Sequence, residues 1–501
     1  MTTDLVTSDL DIPAVSVFVF FFLLVTVLGF VAARWRRPET LAHLDEWGLG
    51  GRKFGTWITW FLIGGDFYTA YTVIAVPALV YAVGAYGFFA LPYTIIVYPM
   101  VFLVMPVLWT AAKARGYVTA GDVVYGSYGS RPLELAVAIT GVIATMPYIA
   151  LQLIGMEVAI KALGLHGEIP LIVAFLVLAF YTYSSGLRAP ALIAFVKDIM
   201  IYIVVLVAVA IVPSKLGGYA AVFDAADAAF KAKGSGGTVL SAAQIVPYAS
   251  LAFGSALAAF MYPHTLTGIF ASSGGDTIRK NAVLLPAYTL LLGLLALLGY
   301  MGHAAGIKVT SNNDVVPALF KALFPGWFAG FAFSAIAIGA LVPAAVMSIG
   351  AANLFSRNVW KAYVNPDVTP AGEAQVAKIT SMLVKIGALA AILVLPTQFA
   401  LDLQLLGGLW ILQTLPALIF GLYGSWFRAP ALLAGWAAGF LTGTALAWSD
   451  GLKPLHAVAL GDVKFSIYTG LLALTLNIVV ASIVNAVLAM TAPARVPAGG
   501  R

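Results

Sequence analysis

Three short stretches place helix-breaking or ionisable residues inside otherwise apolar runs, and chemistry is to be sought there. Gly64-Gly65-Asp66 lies midway into the run 56–82. Paired glycines can release backbone carbonyls for a cation, and a carboxylate in hydrocarbon is costly enough to need a purpose. The competing account is close helix packing at small residues, with Asp66 satisfied by a neighbouring hydroxyl. Phe253-Gly254-Ser255 sits in the run 245–271, followed by Tyr262-Pro263-His264 nearer its end. Proline removes a backbone donor and kinks a helix. Two interrupted apolar segments in corresponding halves of a chain point to a transporter with a midplane binding site.

Other polar points carry two readings each. Lys197-Asp198, with Arg188 ahead of it, opens a span and forms either a salt-bridged gate or a pair that snorkels to the interface. Trp410 with Gln413, and Tyr148 with Gln152, either line a cavity or join helices by hydrogen bonds. His264 is either structural or a coupling group. Several chemistries are missing. There is no cysteine, no phosphate-binding Gly-x-x-x-x-Gly-Lys loop, and the five histidines, at 43, 166, 264, 303 and 456, form no intramembrane pair for haem or copper. Neither do carboxylate pairs or triads of hydrolases occur at suggestive depth. An enzyme is not expected.

The elements that would position these residues follow from composition. With 61% hydrophobic and 10% charged residues, the chain inverts the balance of a soluble domain. Apolar runs without strand-like alternation imply helices rather than a barrel. The expected architecture is all-α and membrane-embedded, with thirteen spans near 12–33, 56–82, 88–112, 135–160, 169–187, 189–213, 245–271, 282–306, 328–355, 376–396, 403–426, 429–448 and 465–490. The first reads as a membrane helix rather than a cleavable signal, since Arg34, Arg36 and Arg37 follow it. Two longer connections are expected to be a flexible polar loop, 214–244, and a surface segment with a short helix, 307–326.

The net charge of +6 is a topology signal, not a nucleic-acid footprint. With the N-terminus outside, seventeen of the 27 lysines and arginines fall on the cytoplasmic side, including Arg52, Arg279, Arg357, Arg495 and Arg501, and eight fall outside. Lys197 and Lys385 lie within or at the edge of spans. This bias predicts N-outside, C-inside.

Taken together, the motifs resemble those of the sodium:solute symporters, which share the LeuT-type fold. Gly50-Gly51-Arg52-Lys53-Phe54-Gly55, with Gly64-Gly65-Asp66 and Pro77, resembles the family's Gly-Gly-Arg lead-in to its first core helix. Pro263-His264 resembles its Gln-Pro-His stretch, with Tyr262 in the glutamine position, and Ala344-Ala345-Val346-Met347-Ser348 its Ala-Ala-x-Met-Ser-Thr motif. Within the family, Ser185 to Ala191 with Val196-Lys197-Asp198, Ala351 to Asn358, and Gln413-Thr414-Leu415-Pro416 are most similar to bacterial monocarboxylate permeases, carriers of lactate, pyruvate and alanine.

The resemblance implies an inverted five-plus-five repeat with one leading and two trailing helices. The corresponding divisions are 1–55 (leading helix and linker), 56–213 (first repeat), 214–244 (outer loop), 245–426 (second repeat) and 427–501 (trailing helices and tail). It implies a sodium site made by Gly64, Phe67, Ala345 and Ser348, with Asp66 adding charge. Ile349 stands where the family has a second hydroxyl, and Lys197 offers an ammonium in place of an ion, so protons are the alternative to Na+. Tyr68, Thr69, Phe253, Ser255, Tyr262, Trp410 and Gln413 are the expected substrate-binding residues, Phe67 facing the same pocket, and Lys197, Asp198 and His264 the coupling or gating residues. The function implied is cation-driven import of a small carboxylate across a bacterial plasma membrane. A carrier of another small solute and a membrane-embedded sensor are the alternatives.

Overall fold

The computed structural model describes residues 10–35, 40–165, 169–394 and 400–491. Arg36, Arg37, Arg495 and Arg501 of the basic set lie outside them. The first apolar run forms α1 (Ile12–Val31), capped by the Asp11 carboxylate, which accepts from the Ala14 amide at 3.1 Å. A short helix α2 (Leu44–Leu49) then leads through Gly50 and Gly51, both at positive φ where a side chain would be strained.

The next span is two half-helices, α3 (Thr56–Phe67) and, after a π-helical turn at Tyr71–Ala75, α4 (Val76–Val83). They bend by 45°. The break itself is at residues 68–70, just past Asp66, where Tyr68 takes φ −97° and ψ 84°. Backbone groups freed in a membrane must find partners inside the protein. Here the Thr72 hydroxyl accepts from the Thr69 amide (3.0 Å) and donates to the Thr69 carbonyl (2.8 Å), the Thr69 hydroxyl accepts from the Tyr71 amide (3.0 Å), and Gln152 Oε1 accepts from the Ala70 amide (3.2 Å).

Helices α5 (Ala90–Arg115), α6 (Ala120–Tyr128), α7 (Arg131–Ala162), α8 (Ile169–Ser185) and α9 (Arg188–Lys215) follow. The connection expected as a flexible loop instead contains α10 (Tyr219–Lys233), which buries Val222, Ala226 and Phe230 at four-residue intervals, one helical face. Lys233 Nζ donates to the Ala82 carbonyl (3.0 Å) and the Ala85 amide to the Gly237 carbonyl (2.7 Å), so this segment is fastened over the end of α4.

The second broken span is α11 (Ala242–Ala259) and α12 (Pro263–Ala271). Its break is at residues 260–262, not at Gly254-Ser255. Pro263 occupies the first turn of α12 and holds Tyr262 extended (φ −64°, ψ 141°), as the residue before proline must be. Gly254 stays in an intact helix and admits the Tyr468 ring, which a Cβ there would meet at 2.3 Å.

Then come α13 (Gly275–Leu284), α14 (Pro286–Ala304) and α15 (Val315–Leu323). The last is no surface helix: Val315, Val316, Ala318, Leu319 and Phe320 are buried. The central helix α16 (Gly326–Leu354) is enclosed throughout its apolar window. Beyond it lie α17 (Pro370–Val394), α18 (Ala400–Ile411), α19 (Leu415–Tyr423) and α20 (Ala429–Ser449). An antiparallel hairpin, β1 (Leu455–Leu460) with β2 (Val463–Tyr468), precedes α21 (Thr469–Thr491), the end of β2 taking up the first residues of the expected last span. The trailing helices α20 and α21 close through Gly435, Gly439 and Gly443, where any side chain would strike Asn477, Ala473 or Ala481 of the partner helix.

Each of the thirteen expected windows overlaps a helix or a helix pair. Among the described residues, however, ten helices are long and apolar enough to cross a bilayer, or eleven with the bent pair, so thirteen crossings are not established. Helix α8, 17 residues long, sits at the lower limit for spanning the hydrocarbon core.

Candidate functional site between two broken helices

The two breaks meet. Asp66 and Phe67 from the end of α3, Ala259 from the end of α11, Tyr262 from the break, and His264 and Thr265 from α12 line one cleft with Tyr93 of α5, Tyr148 of α7 and Gln404 of α18. Its free volume is about 10 Å³, room for roughly one water molecule. The cleft is therefore shut, and admitting a solute requires its aromatic walls to part.

Inside it, Asp66 Oδ2 is 3.5 Å from His264 Nε2, both residues being under 5% exposed. Asp66 Oδ1 and His264 Nδ1 are buried without a hydrogen-bond partner among the described residues. The Tyr262 hydroxyl donates to the Gln404 carbonyl (2.9 Å), and its ring lies 5.4 Å from that of Tyr148 and 5.1 Å from His264. The positive end of the α12 dipole opens here, a preferred place for an anionic group.

On another face of α3, Lys197 reaches the broken helix end. Its Nζ donates to the carbonyls of Gly65 and Tyr68, the latter at 2.9 Å, and stands 3.0 Å from Asp198 Oδ1, while the Tyr288 hydroxyl donates to Asp198 Oδ2 at 2.6 Å. Both charged side chains are fully enclosed. Of the two readings of this pair, snorkelling to the interface does not hold. An ammonium on the last carbonyls of a half-helix compensates its dipole, and Gly65 is required because a Cβ would lie 2.8 Å from Nζ. Arg188 also turns inward, its Nη1 and Nη2 donating to the carbonyl and carboxylate of Glu46, each at 2.6 Å.

The expected sodium ligands divide between two helices. On α16, Ser348 Oγ donates to the Ala345 carbonyl (2.8 Å) and accepts from Ser381 Oγ of α17 (3.0 Å). On α3, the Gly64 carbonyl accepts from the Tyr68 amide (3.0 Å). Carbonyls, a hydroxyl and the unpartnered Asp66 oxygen are hard oxygen donors, which fit a hard cation such as sodium. Among the described residues, no cluster of three His, Asp or Glu suited to a transition metal exists.

Other expected binding residues stand apart from the cleft. Tyr68 packs its ring at a tilt against Tyr288 (4.6 Å) behind α3, and Thr69 is spent on capping the break. Phe253 is 49% exposed on the outer face of α11, and Ser255 is buried within the intact part of that helix. Trp410 donates to Thr444 (3.0 Å) and stacks on Phe440, while Gln413 is bound by Asn477 (3.2 Å), so both fasten α18–α19 to the trailing helices. The cleft instead recruits Tyr93, Thr265 and Gln404, which no motif marked. Thr265, next to Pro263-His264, was the only one with a nearby signal.

A profile described as the sodium:solute symporter family matches residues 47–442. The chain belongs to the sodium:solute symporter family. It is 76% identical over 489 residues, 98% of this chain and 100% of the relative, to a protein of Rhizobium johnstonii named monocarboxylate transport permease protein. It is also 30% identical, over 92% of its length and 91% of the relative's, to the uncharacterized symporter YodF of Bacillus subtilis. Among solved structures, the substrate-bound outward-open state of a Na+-coupled sialic acid symporter superposes with a TM-score of 0.78, covering 95% of this chain and 98% of that one at 14% identity. The fold is accordingly the LeuT type, in a multi-pass membrane symporter.

Proposed function

We propose that this symporter imports a small monocarboxylate of the lactate, pyruvate or alanine kind by alternating access, driven by sodium. The observation that carries the reading is the shut cleft at the meeting of both broken helices, where Asp66 holds a carboxylate oxygen with no partner. Two carboxylates cannot share so small and dry a space unless a cation or proton accompanies them. A carboxylate solute is therefore obliged to enter with positive charge, which is symport. The name of the 76%-identical Rhizobium relative supports the solute class. Gly64, Phe67, Ala345 and Ser348, with Asp66, are the residues we assign to the cation. Bound sodium would supply the charge that lets Asp66 and the solute carboxylate coexist. Tyr262, His264 and Phe67 must move to open the cleft, and the N-terminus of α12 orients the solute carboxylate. We place the chain in a bacterial plasma membrane, N-terminus outside, on the distribution of its basic residues.

Proton coupling is the second reading, and one observation favours it. The Lys197 ammonium already occupies the carbonyls of Gly65 and Tyr68, beside the expected ion ligands, and Ile349 supplies no hydroxyl. Uptake of labelled lactate, pyruvate and alanine into proteoliposomes, with sodium and proton gradients set independently, separates the two. Sodium-driven uptake that Asp66→Asn abolishes is expected. Full uptake in choline or potassium medium at constant pH refutes sodium, and full competition by a neutral sugar but not by lactate or pyruvate refutes the solute class.

A further inference from the structure

Lys385 lies midway along α17, fully buried. Among the described residues its Nζ has one partner, Ser381 Oγ at 3.0 Å. From there the chain of hydrogen bonds runs to Ser348 Oγ (3.0 Å) and on to the Ala345 carbonyl (2.8 Å). No carboxylate among the described residues stands within ion-pair distance of this ammonium. On its own helix, Glu373 is held by Arg357 and Lys361, and Lys378 lies over the Tyr183 ring. On the elements packed against α17, Glu46 is held by Arg188, Asp45 by Arg52, Glu134 by Arg131 and Asn358, and Glu157 by Lys161. Tyr148 faces His264, Tyr181 packs on Gly29, Tyr183 accepts from Gln375, and Tyr363 donates to the Arg131 carbonyl. Helix α16 itself carries no charged residue.

We propose that Lys385 is a proton-binding site wired through Ser381 to the cation ligands Ser348 and Ala345, so that a proton and a sodium ion exclude one another. The wiring follows from donor arithmetic, and it rests on the sodium site assigned above. An ammonium donates only. Ser381 must then accept from Lys385 and give its own proton to Ser348, whose proton is pushed onto the Ala345 carbonyl. That is the pattern seen, and it turns both cation ligands toward hydrogens. A neutral amine has a lone pair and accepts from Ser381. Ser381 then accepts from Ser348, and the Ala345 carbonyl and the Ser348 lone pairs are released to a cation. One proton leaves Lys385 for water as one sodium ion binds, so the exchange is electroneutral and spares the interior an uncompensated charge.

The test is sodium binding itself, measured on the purified full-length protein with radiolabelled sodium between pH 5 and pH 9, independently of transport. A single competing proton weakens the apparent sodium affinity by about tenfold for each unit of falling pH in the acid range. Lys385→Met and Ser381→Ala should flatten this to less than about twofold across the whole range, because one removes the proton site and the other cuts the wire. Lys385→Met trades an unpaired buried charge for an apolar chain of similar length, so it should fold. A wild-type affinity indifferent to pH, or a full slope surviving in either variant, overturns the proposal while leaving sodium binding intact. Absence of sodium binding at every pH overturns the sodium assignment as well.

Discussion

Replacing Lys197 by methionine removes the cation that the broken end of α3 is built around. In the wild type the Lys197 ammonium serves the Gly65 and Tyr68 carbonyls and neutralises Asp198, with both side chains fully enclosed. Methionine fills much of the volume but leaves two carbonyls without a donor and Asp198 with only the Tyr288 hydroxyl. Taking one partner from a buried ion pair costs about 3–5 kcal/mol, whereas removing both charges together is often close to neutral. Lys197→Met should therefore lower the thermal midpoint by several degrees, followed by tryptophan fluorescence in detergent. Lys197→Met with Asp198→Asn should recover most of the loss, giving a coupling of about 2 kcal/mol or more in a double-mutant cycle. A single variant as stable as wild type would refute the account of Lys197 as the cap of the half-helix, and a double variant no better than the single one would refute the uncompensated charge on Asp198 as the main cost.

Two further outcomes test where the binding cleft is. Phe253→Leu and Trp410→Phe should each leave solute uptake within about twofold of wild type, because one side chain faces outward and the other packs on Thr444 and Phe440. A tenfold loss in either variant would return these residues to the site. Gly439→Val should part α20 from its neighbours, since its Cβ would lie 2.3 Å from Gln413 Oε1 and 2.7 Å from the Ala473 carbonyl. Overpacking of this kind costs about 1–3 kcal/mol and should show as a reduced yield of folded protein, with normal yield counting against the packing described.

The helical membrane architecture, the approximate place of the long apolar helices and the existence of two interrupted spans were legible in the residue order. Each depends on local quantities: a run of apolar side chains needs hydrocarbon, and glycine or proline weakens the helix in which it stands. Family membership was legible for the same reason, through short contiguous motifs such as Gly50 to Gly55 and Ala344 to Ser348. Sequence-local signals did less well where two elements had to meet. Gly254 has the same composition signal as a helix break, yet it makes room for Tyr468, a residue more than 200 positions away. Lys197 has the sequence neighbourhood of a snorkelling side chain, yet it is drawn inward by carbonyls that only a bent α3 exposes. Helix α10 stands where a flexible polar loop was expected, and of the hairpin at Leu455–Tyr468 only the end of β2 fell inside an expected span, 465–490.

What the amino-acid order determined alone is therefore that this chain lives in lipid, is helical, and is interrupted near Asp66 and somewhere within 245–271, with the second break misplaced at Gly254-Ser255 until the fold put it just before Pro263. Desolvation and backbone geometry act on each segment by itself, so those facts needed no partner. Which polar groups face one another was decided only by the tertiary structure. It set Asp66 against His264, Lys197 against the end of α3, and Lys385 in line with Ser381 and Ser348, while assigning Trp410 and Gln413 to helix packing. A buried polar group is costly until it finds a complement, and for Asp66 and Lys197 that complement comes from another helix.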